Sequence, residues 1–147
     1  MLKPTEYVLG FLFDLKKSQV ILIRKLKPNW QKNLLNGVGG KIEEGETPIN
    51  AMVREFKDET GIDTVESNWK HYATMSSASF NVAVFKAFLD TPLPQKLTDE
   101  EPIIVSTNPD FKQTISYHRY VSNIPWLVEM ALDDNESGVQ FFANITY

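Results

Sequence analysis

The sequence predicts an α/β (α+β) fold in which a mixed sheet lies between helices, and three observations carry that reading. Apolar runs of strand character at 7–13, 20–23, 69–75 and 79–89 flank an amphipathic stretch at 48–60 that carries helix start and stop signals. In the longest run, Phe80, Val82, Val84 and Phe88 alternate with Ala83, Phe85 and Ala87, so both faces of that strand are covered. A second apolar stretch near 124–132, with Trp126, Leu127, Met130 and Ala131, supplies another helix to pack on the sheet.

Taken in order, the first two strands are joined by Asp14-Leu-Lys-Lys-Ser18, a polar segment that reads as a hairpin connection. A third short strand is expected over 37–42. The helix that follows is bounded by its chemistry: Thr47 can cap it, Pro48 suits its first turn, and Gly61 can end it in the left-handed conformation. Within it Ile49, Met52, Val53 and Phe56 recur at helical spacing and form the expected buried stripe, leaving an acidic strip on an adjacent flank. Residues 91–102 contain three prolines and several polar groups and read as a loop, after which 103–105 can return as a strand.

At 147 residues and 42% hydrophobic, the chain can bury one core, and a single domain over 1–147 is expected. A formal charge of −4 argues against a protein that coats a polymeric nucleic acid, and makes a free small-molecule nucleotide the easier partner. No run approaches the ~20 apolar residues of a membrane helix, and the first six residues lack an apolar signal segment. A cytoplasmic protein without a membrane partner, monomer or homodimer, is therefore expected. The absence of cysteine excludes disulfides and thiolate metal sites.

The acidic strip points to chemistry. Glu55, Asp58 and Glu59 stand at i, i+3 and i+4 of one helix, and like charges so placed cost roughly 0.2–0.5 kcal/mol per pair. A hard divalent ion removes that cost. All-oxygen ligation completed by water and phosphate describes Mg²⁺ better than zinc, with Mn²⁺ as a substitute; a solvated acidic face is the alternative. The preceding loop, Gly37-Val-Gly-Gly40, lets backbone approach a ligand closely.

Loop and helix together resemble the box of the Nudix hydrolases, G-x5-E-x7-R-E-U-x-E-E-x-G-U, where U is a bulky apolar residue. Gly40, Glu46, Arg54, Glu55, Phe56, Glu59, Gly61 and Ile62 match at the required spacing, and Asp58 stands where the family usually has Glu. The resemblance implies an α/β/α sandwich and a pyrophosphohydrolase that attacks a phosphoanhydride with water, assisted by Mg²⁺. It implies that Glu55 and Glu59 ligate metal directly, that Asp58 does so more loosely, that the Gly39 carbonyl contributes, and that Arg54 and Glu46 brace the loop beside Gly40. The base is Glu59 or Glu100; Leu97-Thr-Asp-Glu-Glu-Pro102 resembles a loop that supplies an extra metal-binding carboxylate in some triphosphatases of the family, and Glu101 is the alternative within it.

Leu35-Asn-Gly-Val-Gly-Gly-Lys41 resembles the W-N-G-x-G-G-K segment of the family's oxidised-purine nucleoside triphosphatases, with Leu35 in place of tryptophan. That likeness implies that Asn36 faces the base, where an amide can donate and accept, although a turn asparagine is the plain alternative. Arg24 and Lys41 are candidates for phosphate contacts or, equally, solvated cations. Trp30, Tyr117, Tyr120 and Trp126 are aromatic candidates for stacking, with core packing the better account of Trp126. Asp133-Asp134 resembles an acidic base-recognising pair of the mammalian enzymes, though Ala131 stands where they carry tryptophan. His71 and His118 are isolated and read as structural or surface residues.

The expected substrate is a (deoxy)nucleoside triphosphate, oxidised purines among them, cleaved to monophosphate and pyrophosphate. ADP-ribose, a dinucleoside polyphosphate or a nucleotide sugar is the alternative, since the box selects the diphosphate and not the appended group. A non-enzymatic nucleotide-binding module is a further alternative, against which the intact Glu55 and Glu59 argue.

Overall fold

The computed structural model describes residues 2–90, 93, 102–107, 120–133 and 143–147. Its axis is β1 (Thr5–Asp14), an apolar strand paired in parallel with β6 (Phe80–Leu89) over its whole length, from Thr5↔Phe80 to Asp14↔Leu89. The other edge of β1 is shared: β2 (Gln19–Arg24) meets it at Phe13↔Val20, and β4 (Val38–Lys41) takes Tyr7 to Gly10. The sheet continues to β3 (Leu35–Asn36) and β7 (Pro102–Ser106) on β2, and through β5 (Trp69–Ser76) to β8 (Ala143–Thr146) on the far side. Parallel β1–β6 and β5–β8 pairs among antiparallel ones make it the mixed sheet that was expected.

Both faces of the sheet are covered, because side chains alternate along every long strand. Leu9, Phe11, Phe13, Val20, Leu22 and Val84 pack on the side of α2 (Ile124–Leu132), which contributes Ile124, Leu127, Val128 and Ala131. Val8, Leu12, Ile21, Ile23, Phe85 and Ala87 pack on the opposite side, against Ala51, Met52 and Phe56 of α1 (Pro48–Thr60). The Tyr72 hydroxyl ties α2 to the sheet by donating to the Leu127 carbonyl at 2.9 Å. Among the described residues no helix is long and apolar enough to cross a membrane.

Helix α1 keeps its expected limits. Thr47 Oγ1 accepts from the Asn50 N–H, and Gly61 (φ 75°) ends the helix with its N–H on the Lys57 carbonyl. Its buried face is shifted from the expected stripe: Met52 and Phe56 are fully buried, but Ile49 and Val53 only in part, while Ala51 and Thr60 are fully buried. The line Met52–Phe56–Thr60 is the face against the sheet, which draws the neighbouring line of Glu55 and Glu59 towards the protein instead of leaving it in open solvent. Thr60 meets its burial by donating Oγ1 to the Phe56 carbonyl at 2.6 Å.

Two elements depart from expectation. The single strand expected over 37–42 is two, because the chain crosses at Gly37 from pairing with β2 to pairing with β1. A Cβ at Gly37 would lie 2.9 Å from the Phe11 ring and 3.0 Å from the Gly10 carbonyl, so only glycine fits that crossing. Strand β8 was not expected. It pairs in parallel with β5, some seventy residues earlier in the chain (Ala73↔Ala143). The loop expected over 91–102 lies outside the described residues apart from Leu93 and Pro102, both buried. The hairpin connection is held by Asp14, whose carboxylate accepts from Ser18 N and Oγ and Gln19 N. Burial raises its pKa, but these hydrogen bonds outweigh that and hold it below the ordinary value.

Phe56 is fully buried edge-on against Trp69, ring centroids 5.0 Å apart, at the centre of the α1 interface. Phe56→Ala should therefore lose about 3–5 kcal/mol of stability, measured by urea unfolding; a loss below about 1 kcal/mol is incompatible with this packing.

Candidate functional site

Arg54 organises the site. Its Nε and Nη2 donate to the two carboxylate oxygens of Glu46 at 2.8 and 2.9 Å, its Nη1 to Glu55 Oε1 at 2.7 Å, and its Nη2 also to the Lys41 carbonyl at 3.1 Å. One planar fork thus binds the loop before α1 to α1 itself, which is the geometry guanidinium supplies and ammonium does not. Glu46 also accepts from the Glu43 N–H at 3.0 Å. The Arg54 hydrogen bond lowers the Glu46 pKa, and the Glu46 hydrogen bond is the leading cause that raises that of Arg54. A lowered carboxylate contributes its stabilisation above its unfolded pKa and loses it as pH falls through the folded value, so the brace is released by acid and not by base.

The glycines place the loop against the acids. A Cβ on Gly40 would lie 2.3–2.6 Å from the Glu55 carboxylate atoms, and one on Gly39 would lie 2.0 Å from the Val8 carbonyl oxygen. Position 39 therefore runs flush with β1, and the Glu55 carboxylate rests on bare backbone at position 40. Its side chain is 16% exposed, against 64% for Asp58, whose Oδ2 lies 3.8 Å from Arg54 Nη1. Glu59 is half-buried on the same flank. Among the described residues no three acidic or histidine side chains converge closely enough to enclose an ion, so the acids share a strip without forming a closed cage. Glu100 and Glu101 lie outside the described residues, as do Tyr117, His118 and Asp134.

Beside the strip opens a cavity of about 580 Å³, with Val8, Leu9, Gly37, Gly39 and Gly40 in one wall. Asn36 lines it. Its Oδ1 accepts from the Gly37 N–H at 2.8 Å and its Nδ2 donates to Gln31 Oε1 at 3.1 Å, so the turn role and the cavity position belong to one side chain. Arg24 does not line the cavity; its Nη1 donates to the Asn33 carbonyl at 3.0 Å. Lys41 is exposed and also outside the wall, whereas Lys25 is in it. Trp30 is exposed and lines the cavity, while Trp126 and Tyr120 pack against the core on the α2 side. Asp133 follows α2, and His71 is a surface residue that stacks on Phe85 and meets the Ala73 carbonyl through Nε2.

Several lining residues were not singled out in the sequence: Gln31, Met75, Asn123 and Tyr147. Asn123 precedes Ile124-Pro125 and so reads as an ordinary helix cap, yet its side chain makes no capping bond. No local signal marks Tyr147, which reaches the cavity only because β8 lies beside β5.

The chain matches the NUDIX domain model over residues 3–142. It is 34% identical over 61 residues to the 8-oxo-dGTP diphosphatase of Escherichia coli K12, a match covering 42% of this chain and 46% of that protein's length, so the likeness spans less than half of the curated relative. Among solved structures it is similar to a NUDIX hydrolase from Nitrosomonas europaea (TM-score 0.72, 16% identity, 100% of this chain and 81% of that one). It is also similar to the MutT protein of Bacillus halodurans (TM-score 0.67, 17% identity, 97% and 90%). Both likenesses are likenesses of fold. A domain match that spans nearly the whole chain, over the very loop and helix that Arg54 binds together, means that this protein belongs to the Nudix family.

Proposed function

We propose that the protein is a pyrophosphohydrolase that cleaves a (deoxy)nucleoside triphosphate to monophosphate and pyrophosphate, oxidised purine nucleotides among its substrates, with Mg²⁺. One observation carries the reading: Gly40, which lines the cavity beside Gly39, is also the residue on which the Glu55 carboxylate rests. A nucleotide whose base enters the cavity therefore has its phosphates beside the carboxylates. Among the described residues three aromatic side chains are exposed, Tyr7, Trp30 and Tyr147, and all three line this cavity, as platforms for a base would. The amides of Gln31, Asn36 and Asn123 add donors and acceptors for a purine edge. The diphosphatase relative in Escherichia coli supports the same substrate class.

The donor set fits a hard cation: carboxylates from Glu55, Asp58 and Glu59, the backbone carbonyl of Gly39, and Glu100 from the later loop would hold it. Bound there, Mg²⁺ supplies charge neutralisation for the phosphate oxygens and acidifies a bound water. Arg54 keeps Glu55 turned to the loop backbone. Glu59, or Glu100, takes a proton from the attacking water as its oxygen bonds to phosphorus, the bridging P–O bond breaks, and pyrophosphate leaves.

Glu59→Gln should reduce kcat by more than ~100-fold with the fold retained, because an amide preserves shape but cannot serve as carboxylate to metal or water. Near wild-type kcat at saturating Mg²⁺ would remove Glu59 from the site. Gly40→Ala meets only the far end of the Glu55 side chain, which can swing away; thermal stability should hardly change while activity falls by roughly tenfold or more, the scale of a misplaced catalytic group. A variant that keeps full activity would show that the Glu55–Gly40 contact is incidental.

Asn36→Ala should raise KM for a purine triphosphate by roughly tenfold, as expected for a polar contact of about 1–3 kcal/mol, and erode preference for the oxidised base. Steady-state kinetics on 8-oxo-dGTP, dGTP, ATP and ADP-ribose decide both points: a wild-type preference for ADP-ribose overturns the triphosphate reading, and unchanged base selectivity in the variant overturns the role of Asn36.

A further inference from the structure

Away from the cavity and the acidic strip, Lys17, Lys70 and Lys86 gather near the C-terminal end of α2. All three are half-buried, whereas Lys27, Lys32, Lys41 and Lys57 are exposed. Lys70 and Lys86 are direct partners across β5 and β6, and like charges so opposed on one face of a sheet are destabilising. Lys86 Nζ donates to the Ala131 carbonyl in the last turn of α2 at 2.9 Å, and lies 5.5 Å from the ring centroid of Tyr72 and 6.0 Å from that of Phe88. Lys17 Nζ lies 5.7 Å from the same Phe88 ring.

These neighbours pull on the Lys86 amine in opposite directions. The helix-end carbonyl and the two ring faces favour an ammonium, as does Asp133 just after α2. Burial opposes them and is the largest influence; the charges of Lys70 and Lys17 add to it, and together they hold Lys86 below its ordinary pKa. Tyr72, whose hydroxyl donates to the Leu127 carbonyl, is pushed up by burial and stays neutral, so it brings no charge to the cluster. An amine that gives up its proton more readily is nucleophilic for more of the time, which is how partly buried lysines become reactive.

We propose that Lys86 is an acylation site: its amine, set between the Tyr72 and Phe88 rings and beside Lys17 and Lys70, accepts an acyl group from an acyl phosphate. The neighbouring ammoniums draw the anionic donor to the cluster, which a neutral ester or amide does not gain from. The Nζ lone pair forms a bond to the acyl carbonyl carbon, the C–O bond to phosphate breaks, and phosphate leaves with the electron pair while the amine loses a proton to water. The product is a neutral secondary amide. Its remaining N–H can still donate to the Ala131 carbonyl, and the repulsion with Lys70 is gone. The cavity is lined by Val121 to Asn123, before and at the start of α2, whereas Ala131 is near its other end, so the site stands apart from the nucleotide reading.

The test treats the full chain, Lys70→Gln and Lys17→Gln with acetyl phosphate and, in parallel, with the uncharged reagent N-acetoxysuccinimide. Acetylation at each lysine is timed by mass spectrometry of chymotryptic peptides, and thermal melts check that both variants are folded. Near neutral pH Lys86 should be acetylated about threefold or more faster than Lys27, Lys32 or Lys41, and that lead should narrow as pH rises and the exposed amines also lose their protons. Lys70→Gln should slow the reaction of Lys86 with acetyl phosphate by about threefold or more, since it removes both a like charge and an attraction for the donor, and should slow the uncharged reagent less. Lys17→Gln should act in the same direction. Acetylation of Lys86 no faster than that of the exposed lysines, or a rate that neither substitution changes, overturns the proposal; an equal fall with both reagents overturns the part of Lys17 and Lys70 in drawing the anion.

Discussion

The five contacts of one guanidinium hold this site together. Arg54 grips both oxygens of Glu46, one oxygen of Glu55 and the carbonyl of Lys41, and lies near Asp58, so the loop, the helix and two of the acids have a common joint. Lys41 and Ile42 are also held by pairing with β1, but among the described residues only Arg54 ties Glu46 and the Glu55 carboxylate into one network. The charge balance matters as much as the geometry. A cation set among acids on one helix offsets the repulsion between them, so the fold tolerates the strip.

The sheet gives that joint its place. Because β1 shares one edge between β2 and β4, the chain must cross over at Gly37, and the crossing leaves Gly39 and Gly40 running between the α1 face and the cavity. Side chains are absent where two surfaces need the same backbone. The rest of the cavity wall is built separately, with residues from the turn around Asn36, the start of α2 and the segment after β8. The acidic strip and the cavity thus rest on different parts of the fold that meet at the two glycines.

How much of this could be read in advance depended on how local each feature is. Helix α1 was legible to the residue, since Thr47, Pro48 and Gly61 act within a turn of the ends they mark. The two-faced alternation of β6 was likewise visible, and the family box identified Arg54, Glu46 and the acids at once. What escaped depended on distant partners. The break at Gly37 arises from the Phe11 ring and the Gly10 carbonyl, the shift of the α1 buried face from the sheet beneath it, and the position of Tyr147 from pairing across some seventy residues. Asn123 gives no such signal: it stands beside Ile124 and Pro125 at the start of α2, and its side chain lines the cavity without capping the helix. Arg24 carries the right charge for a phosphate, but the Asn33 carbonyl is held within its reach.

Strand β8 carries one more consequence. It is four residues long, alternates half-buried and exposed positions, and pairs on one side only among the described residues. Such a strand belongs to the weakly anchored end of a fold, opening far more often than β1 or β6, and its distant pairing forms late. The Tyr147 N–H extends its ladder onto the Ser76 carbonyl and Tyr147 lines the cavity, so the docking of this edge strand sets the shape of the cavity rim.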